Sequence, residues 1–277
     1  MGKDRNRADK CCDSKGNTVV SGYREETIIT DRNGKRIWGV ALVPELGQER
    51  YPLVICSHGL GGSYTSYLEY GKYFVSMGIA AYCFDFCGGG GKKSDGKNTE
   101  MSLMTEVADL MTVINAAKEW SFVDPGNVIL LGGSQGGAAS AIAAARMPED
   151  INGLILLYPA FHIPEVVRGM FASKEELPEN YFFFMMTLGK PYAADVWDYD
   201  VYSEIVKYKK PVLLIHGDTD VIVPIAYSQR AVSVYDDARY RVIKGAGHGF
   251  YGDEFEEAKV YISEYMQELG YIPVNGR

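Results

Sequence analysis

The pentapeptide Gly132-Gly133-Ser134-Gln135-Gly136 reads G-x-S-x-G, and its surroundings constrain the fold more than any other feature of the chain. An apolar run of strand character, residues 127–131, precedes it, and a run of small residues with helix character, 137–145, follows it. A strand, a sharp turn and a helix are the context in which this motif presents a serine hydroxyl at the end of a sheet. Glycines two residues before and after the serine suit the strained backbone of such a turn. The segment predicts a nucleophile at Ser134, with a glycine-rich turn and an incidental serine as the alternative.

Composition and charge narrow the class of protein. The 277 residues suit one large α/β domain, and 28 Lys and Arg against 36 Asp and Glu give a formal net charge of −8. The sequence has no basic stripe, so nucleic acid is not an expected partner. It also has no run of about 18 apolar residues, so no membrane association is expected.

The N-terminal region is polar, and the cysteines are odd in number. Residues 1–17 lack the apolar stretch of a secretory signal, and we expect them to form a flexible tail before one domain over 18–277. Five cysteines without regular spacing favour reduced thiols and a cytoplasmic location. Cys11 and Cys12 are a candidate metal pair, but no histidine or second cysteine pair lies near them. No metal and no cofactor is therefore expected.

Strand and helix patterns alternate along most of the chain. Two strands, 25–30 and 36–43, are joined by a tight turn at Asn33-Gly34 and open the domain as an antiparallel pair. From Leu53 onward, apolar strands alternate with amphipathic helices, which predicts a parallel sheet covered on both faces. These strands are expected at 53–57, 80–84, 128–131, 154–158, 212–216 and 239–243. The predicted fold class is α/β, with a mostly parallel eight-stranded sheet flanked by helices.

One connection interrupts this alternation. Residues 159–207 lie between two core strands and are far longer than a usual connection in an α/β protein. The segment is rich in aromatic residues, and we interpret it as a cap inserted over the end of the sheet. At least half of its rings are expected to pack the cap itself, and the others to line an apolar pocket above Ser134. The candidates for substrate contact are Phe161, Tyr181, Phe184 and Trp197.

Two loops downstream of the serine carry the residues that it needs as a nucleophile, namely a base and an acid that orients the base. After a G-x-S-x-G turn the expected order along the chain is Ser, then Asp or Glu, then His. His248, in a glycine-flanked loop after the last strand, is predicted as the base. Asp220, after strand 212–216, is predicted as the acid, with Asp218 as the alternative. His216 and Asp218 are expected to support their loop through hydrogen bonds.

Acyl transfer also requires donors for the oxyanion of the tetrahedral intermediate. One donor is predicted to be the backbone N–H of Gln135, the residue after the nucleophile. The second is expected in the loop His58-Gly59-Leu60-Gly61-Gly62, where glycines let the backbone approach a substrate, and the N–H of Leu60 is the candidate. The alternative for this loop is a tight turn without a catalytic role. His58 itself is expected to be structural.

Five motifs follow one another in a recognisable order. They are the loop 58–62, Phe84-Asp85-Phe86, the turn 132–137, the stretch 216–224 and the loop 245–250. Together they resemble the α/β-hydrolase superfamily, and more narrowly bacterial serine esterases of the cinnamoyl/feruloyl esterase type and the related serine aminopeptidase-like hydrolases. The resemblance extends over roughly residues 36–269.

This resemblance implies the catalytic roles that the motifs themselves indicate. Ser134 would be the nucleophile, Asp220 the acid and His248 the base, with Leu60 and Gln135 as oxyanion donors. It also implies a cap between the sixth and seventh strands. Two positions depart from the relatives, which often carry a larger residue at position 133 and, in many feruloyl esterases, an aromatic residue at position 60. The second departure weakens the case for a phenolic ester.

Three classes of function follow from these residues. The leading hypothesis is a serine carboxylesterase that cleaves small to medium esters through an acyl-enzyme, with aromatic acyl groups as an open option. The second is a peptidase or amidase of the serine aminopeptidase or prolyl-oligopeptidase type, because the same triad attacks amides. The third is a non-catalytic binding protein on a hydrolase scaffold. The expected partner is a small-molecule ester, and a homodimer is left open.

The glycine-rich run 88–94 invites comparison with a phosphate-binding loop. The pattern G-x-x-x-x-G-K-[ST] would require Gly at position 86 and Ser or Thr at position 93, and the chain has Phe86 and Lys93. The run is therefore expected to be a flexible surface loop.

Overall fold

One eight-stranded sheet organises the described part of the chain. The computed structural model describes residues 11–12, 18–19 and 22–273. In chain order the strands of the sheet are β1 Tyr23–Arg32, β2 Lys35–Pro44, β3 Tyr51–Ser57, β4 Ala80–Phe84, β5 Val123–Gly133, β6 Gly153–Leu157, β7 Val212–Gly217 and β8 Ala238–Ile243.

The order of strands across the sheet is β8-β7-β6-β5-β3-β4-β2-β1. Strand β2 pairs antiparallel with both β1 and β4, and the other neighbours are parallel. In the turn between β1 and β2, Asn33 and Gly34 have φ angles of 53° and 83°, as a tight hairpin requires. The prediction of a mostly parallel eight-stranded α/β sheet is confirmed.

Helices cover both faces of the sheet. They are α1 Leu68–Ser76, α2 Leu103–Ala117, α3 Gln135–Arg146, α4 Ile163–Met170, α5 Lys190–Ala194, α6 Val201–Ile205, α7 Ala226–Val234 and α8 Asp253–Glu268. Helices α1 and α8 pack on one face with Val54, while α2 and α3 pack on the other with Leu53 and Ile55. Burial on both faces explains the continuous apolar character of β3.

The parallel strands place four loops at the same edge of the sheet. The loops follow the carboxyl ends of β3, β5, β7 and β8, which run in the same direction. Ligands of open α/β sheets bind at this edge. The motifs at 58–62, 132–137, 216–224 and 245–250 therefore converge.

The connection between β6 and β7 contains α4, α5, α6 and an antiparallel hairpin, Asn180–Phe183 with Met186–Gly189. The hairpin rests on the short 3-10 turn Asn98–Glu100, since a Cβ atom at Gly189 would lie 2.0 Å from the carbonyl oxygen of Thr99. The segment 159–207 thus occupies the position in which a cap is expected.

Parts of the chain ends lie outside the described residues. Of the expected tail 1–17, only Cys11–Cys12 is described, and it pairs antiparallel with Thr18–Val19. None of the described helices has the length and apolar character needed to cross a membrane.

The glycine-rich run 88–94 is packed rather than free at the surface. The carbonyl of Gly89 accepts a hydrogen bond from the N–H of Gly61 at 3.1 Å. A Cβ atom at Gly91 would lie 2.1 Å from the Asp85 carboxylate, so only glycine fits there. The expectation of a surface loop is wrong for Gly88, Gly89 and Ser94, which are buried, whereas Lys92 and Lys93 are exposed.

Candidate active site

The turn between β5 and α3 holds Ser134 in a strained conformation. Its φ and ψ angles are 54° and −123°, a region that L residues rarely occupy. A Cβ atom at Gly132 would lie 2.3 Å from the carbonyl oxygen of Gly136, and one at Gly136 would lie 2.3 Å from the carbonyl oxygen of Ser57. Both glycines are therefore required for the turn to form.

The third glycine of the motif has a different neighbour. A Cβ atom at Gly133 would lie 1.7 Å from the hydroxyl oxygen of Tyr67. Tyr67 precedes α1, is buried, and stacks on Tyr70 with ring centroids 5.7 Å apart. The Tyr67 hydroxyl thus occupies the space that a side chain at position 133 would need, which accounts for glycine at a position where relatives often carry a larger residue.

Ser134, His248 and Asp220 form one chain of hydrogen bonds. The Ser134 hydroxyl lies 3.0 Å from His248 Nε2, and His248 Nδ1 lies 2.7 Å from Asp220 Oδ2. Because a carboxylate only accepts, Nδ1 carries the proton and Nε2 presents its lone pair to the serine. The structure therefore brings together the three residues that the sequence selected as nucleophile, base and acid.

Asp220 is buried and fully hydrogen-bonded. Its Oδ1 accepts from the backbone N–H groups of Ile222 and Val223, each at 2.9 Å. Burial by itself would raise the pKa of Asp220, but hydrogen bonds from His216, His248 and the Val223 N–H outweigh burial and hold the pKa well below its usual value. Asp220 is therefore charged throughout the neutral range.

His216 contacts Asp220 directly, which the sequence did not reveal. Its Nε2 lies 3.2 Å from Asp220 Oδ2 and 2.9 Å from the carbonyl oxygen of Val223, while Nδ1 lies 2.7 Å from Ser228 Oγ. His216 thereby links β7, the loop after it and α7. Its place four residues before Asp220 was visible, but their contact depends on how the loop folds.

Asp218 and His58 have the supporting positions expected of them. Asp218 is exposed and accepts from the N–H of Gly245 at 2.6 Å, so it ties the two loops together without touching His248. His58 accepts from the N–H of Phe86 at Nε2, at 3.1 Å, and donates from Nδ1 to the Gly59 carbonyl at 2.8 Å. Burial lowers the pKa of His58, which keeps it neutral.

The two predicted oxyanion donors lie beside Ser134. Leu60 and Gln135 both border the cavity above the serine. Gly59 lies so close that a Cβ atom on it would be 3.0 Å from Ser134 Cβ, which explains the glycine before Leu60. Among the described residues, neither the Leu60 N–H nor the Gln135 N–H takes part in a loop, turn or cap hydrogen bond. Both are thus available to an anionic oxygen.

A cavity of about 460 Å³ opens over Ser134 and His248. Its walls combine residues of the sheet edge, the loops and the segment 159–207. Apart from Ser134, His248, Gln135 and the loop that carries Leu60, they include Tyr67, Tyr70, Tyr158, Ile163, Val166, Val167, Met170, Phe183, Phe184, Tyr192, Val221, Phe250 and Tyr251. The volume suits a small or medium organic ligand.

The structure revises the expected set of substrate-contacting residues in the cap. Of the four candidates only Phe184 borders the cavity. Phe161 is buried against Tyr202, and Tyr181 packs edge-on against Phe171. Trp197 packs against the core, and its carbonyl oxygen accepts from Arg168. These three rings stabilise the segment itself, a role foreseen for at least half of its aromatic residues.

Helix α4 supplies the lining that those rings do not. Ile163, Val166, Val167 and Met170 recur at intervals of three and four residues and all face the cavity. This helical spacing was visible in the sequence, but the prediction of substrate contacts considered only the aromatic residues of the segment. Across residues 22–273, no three or more His, Cys, Asp or Glu side chains cluster as ligands for a metal ion.

The fold and the site together define an α/β hydrolase, in which the loops that carry Ser134, Asp220 and His248 follow one another in the order Ser, Asp, His of that superfamily. A family model described as serine aminopeptidase, S33, matches residues 48–186, half of the chain. The chain belongs to this family. The matched residues include Leu60, Ser134 and Gln135.

Solved and curated proteins agree with this assignment. The structure of Est1E from Butyrivibrio proteoclasticus with ferulic acid bound is 28% identical, with a TM-score of 0.81, and covers 87% of this chain and 98% of that chain. An uncharacterized protein of Mycobacterium tuberculosis is 26% identical over 80% of this chain and 72% of its own length. The monoglyceride lipase of Rattus norvegicus is 33% identical over 39% of this chain and 34% of its own.

Proposed function

We propose that the protein is a serine carboxylesterase whose nucleophile, base and acid are Ser134, His248 and Asp220. The observation that carries this proposal is the unbroken chain of hydrogen bonds from the Ser134 hydroxyl through both ring nitrogens of His248 to Asp220. Such a chain activates an otherwise weak nucleophile at neutral pH.

The reaction proceeds in two halves. Ser134 Oγ attacks the ester carbonyl carbon while its proton passes to His248 Nε2, and the resulting oxyanion accepts hydrogen bonds from the N–H groups of Leu60 and Gln135. Collapse of this intermediate breaks the bond to the alcohol, which leaves with the proton from His248. Water then attacks the acyl-enzyme by the same route, releasing the carboxylic acid and restoring the Ser134 hydroxyl. Asp220 stays charged and stabilises the imidazolium formed in each half.

The cavity supports acyl groups of small to medium size, including planar aromatic ones. The apolar side chains of α4 and Phe183 line it together with the aromatic rings of Tyr67, Tyr70 and Tyr158. Flat rings pack well between aromatic and branched aliphatic side chains. The similarity to Est1E, whose structure holds ferulic acid, supports aryl-containing acids, while Leu60 leaves the preference for a phenol open.

Labelling with a fluorophosphonate probe tests whether Ser134 is an activated nucleophile. We expect the wild-type protein to be labelled at Ser134, and the Ser134→Ala variant to remain unlabelled and lose ester hydrolysis. The variant should keep its melting temperature, because the substitution removes only the Ser134 hydroxyl and leaves the glycines of the turn in place. An unlabelled wild-type protein would instead favour the non-catalytic binding role.

Amide hydrolysis is the second candidate, favoured by the match to the serine aminopeptidase family. The two functions differ in the leaving group, since an amine must be protonated as it departs and an alcohol leaves more readily. We expect kcat/KM for a p-nitrophenyl ester to exceed that for an aminoacyl p-nitroanilide with the same acyl size. The reverse ranking, measured on one preparation at one pH, would assign the protein as an amidase.

A further inference from the structure

A buried polar cluster lies directly behind the proposed oxyanion donor Gln135. Its other members are Tyr192, Glu106 and Met101, and each of the four residues is at most 3% exposed. The Tyr192 hydroxyl donates to Gln135 Oε1 at 2.7 Å, and Gln135 Nε2 lies 3.6 Å from Met101 Sδ. The mechanism proposed above uses none of these side chains, although burying polar groups has a free-energy cost.

Glu106 is a fully buried carboxyl group of this cluster. Burial raises the pKa of Glu106 well above its usual range, the adjacent Gln135 amide offsets part of that rise, and Asp109 adds to it. Neither carboxyl oxygen of Glu106 hydrogen-bonds to another described group. Because no hydrogen bond joins Glu106 to Gln135, the contact from Tyr192 is the one that anchors the Gln135 amide oxygen.

The strained backbone of Ser134 directly precedes Gln135, so any relaxation of that strain would move the Gln135 N–H. Rotation about the Cα–C bond of Ser134 would relieve its unfavourable backbone angles, and the same rotation would swing the peptide unit that carries the Gln135 N–H. A side chain of Gln135 that is anchored from outside the turn opposes this rotation. The Tyr192 hydroxyl supplies such an anchor from α5.

Helix α5 is itself fixed to the start of α2. Ser102 Oγ, at the beginning of α2, donates to Asp195 Oδ2, at the end of α5, at 2.6 Å. The close approach of Gly189 to Thr99 adds a backbone contact one residue before α5 begins. Tyr192 therefore reaches Gln135 from a support that is independent of the serine turn.

We propose that Tyr192 is a positioning residue for catalysis: its hydroxyl holds the side chain of Gln135 so that the backbone N–H of Gln135 points at the oxyanion throughout the reaction. The proposal rests on the serine mechanism proposed above. It makes the segment 159–207 part of the machinery that sets the rate, in addition to forming one wall of the cavity.

Tyr192→Phe tests this role by deleting one hydroxyl. We expect kcat to fall about tenfold with little change in KM, a part of what loss of a whole oxyanion donor costs. Affinity for a boronic acid, which forms a tetrahedral adduct on the serine, should fall by the same factor. Tyr202→Phe is the matched control, because the Tyr202 hydroxyl is also buried in this segment but donates to the Tyr227 carbonyl oxygen. It should leave both quantities unchanged.

A double-mutant cycle separates positioning from general stability. Gln135→Met keeps the backbone N–H and removes the acceptor of the Tyr192 hydroxyl, so Tyr192→Phe should have no further effect on kcat in that background.

Two results would overturn the inference. Equal kcat and equal boronic acid affinity in the wild type and Tyr192→Phe would show that the hydroxyl does not act on the donor. Additive effects of Tyr192→Phe and Gln135→Met would show that Tyr192 acts elsewhere. A wild-type protein that does not react with a fluorophosphonate would refute the proposed serine mechanism itself. Failure of the proposed function is therefore distinguishable from failure of the proposed role of Tyr192.

Discussion

Replacing His248 by glutamine is expected to lower kcat/KM for a p-nitrophenyl ester by roughly four to six orders of magnitude, as removal of the base does in serine hydrolases. In the wild type, Ser134 Oγ lies 3.0 Å from His248 Nε2. A glutamine side chain is of similar length, but its amide is too weak a base to take the proton of the serine hydroxyl. Steady-state kinetics with active-site titration measures the loss. Adding Ser134→Ala to His248→Gln should cost little more, because the two side chains act as one unit.

A second histidine at the same cavity provides the control. His162 borders the cavity beside the acid loop, but no hydrogen bond joins it to Ser134 among the described residues. We expect His162→Gln to retain at least two orders of magnitude more activity than His248→Gln. Comparable losses in both variants would contradict the assignment of His248 as the base.

Replacing Asp220 by asparagine is expected to reduce kcat by about four orders of magnitude, the size of effect seen when a triad base is forced into the wrong tautomer. The N–H groups of Ile222 and Val223 point at Oδ1 and will select the amide oxygen of the asparagine for that site. The amide NH₂ must then face His248. Facing this donor, His248 is expected to switch tautomer, so that Nδ1 accepts from the amide and Nε2 carries the proton. Nε2 then has no lone pair with which to take the proton of Ser134.

Asp218→Asn is the matched substitution in the same loop. Asp218 accepts one hydrogen bond, from the Gly245 N–H, and the amide oxygen of asparagine accepts it equally well. We expect kinetics close to wild type from Asp218→Asn, with melting temperatures recorded for both variants because Asp220 also stabilises its loop. An inactive Asp218→Asn beside an active Asp220→Asn would move the acid to position 218.

Most of the fold was predictable because local patterns and global structure agree in this chain. The Asn33-Gly34 turn and the buried strand at β3 both follow from short-range signals. Strand β5 was predicted to begin at residue 128, yet it begins at Val123. The intervening Asp-Pro-Gly sequence is typical of a loop, and only the pairing of Val123 with Tyr51 across an irregular register keeps it in the sheet.

The residues proposed for the chemistry were predictable from sequence, and those proposed to surround the substrate were not. Ser134, Asp220 and His248 follow strands whose carboxyl ends must meet, so topology alone brings them to one edge. The lining from the segment 159–207 depends on how that segment packs on itself. Its rings look alike in the sequence, and tertiary packing alone separates Phe161, which is buried, from Phe184, which faces the cavity.

The contact between Gly133 and the Tyr67 hydroxyl also restricts the routes by which this enzyme can diverge. A Cβ atom at position 133 would lie 1.7 Å from the Tyr67 hydroxyl oxygen and 3.2 Å from Tyr158 Cε2, so Tyr67 is the main obstacle to a side chain there. A larger residue at position 133 is therefore expected to require that the Tyr67 side chain move or be replaced. Libraries that randomise position 133 alone are therefore expected to yield few folded variants, and libraries that randomise positions 67 and 133 together are expected to yield more.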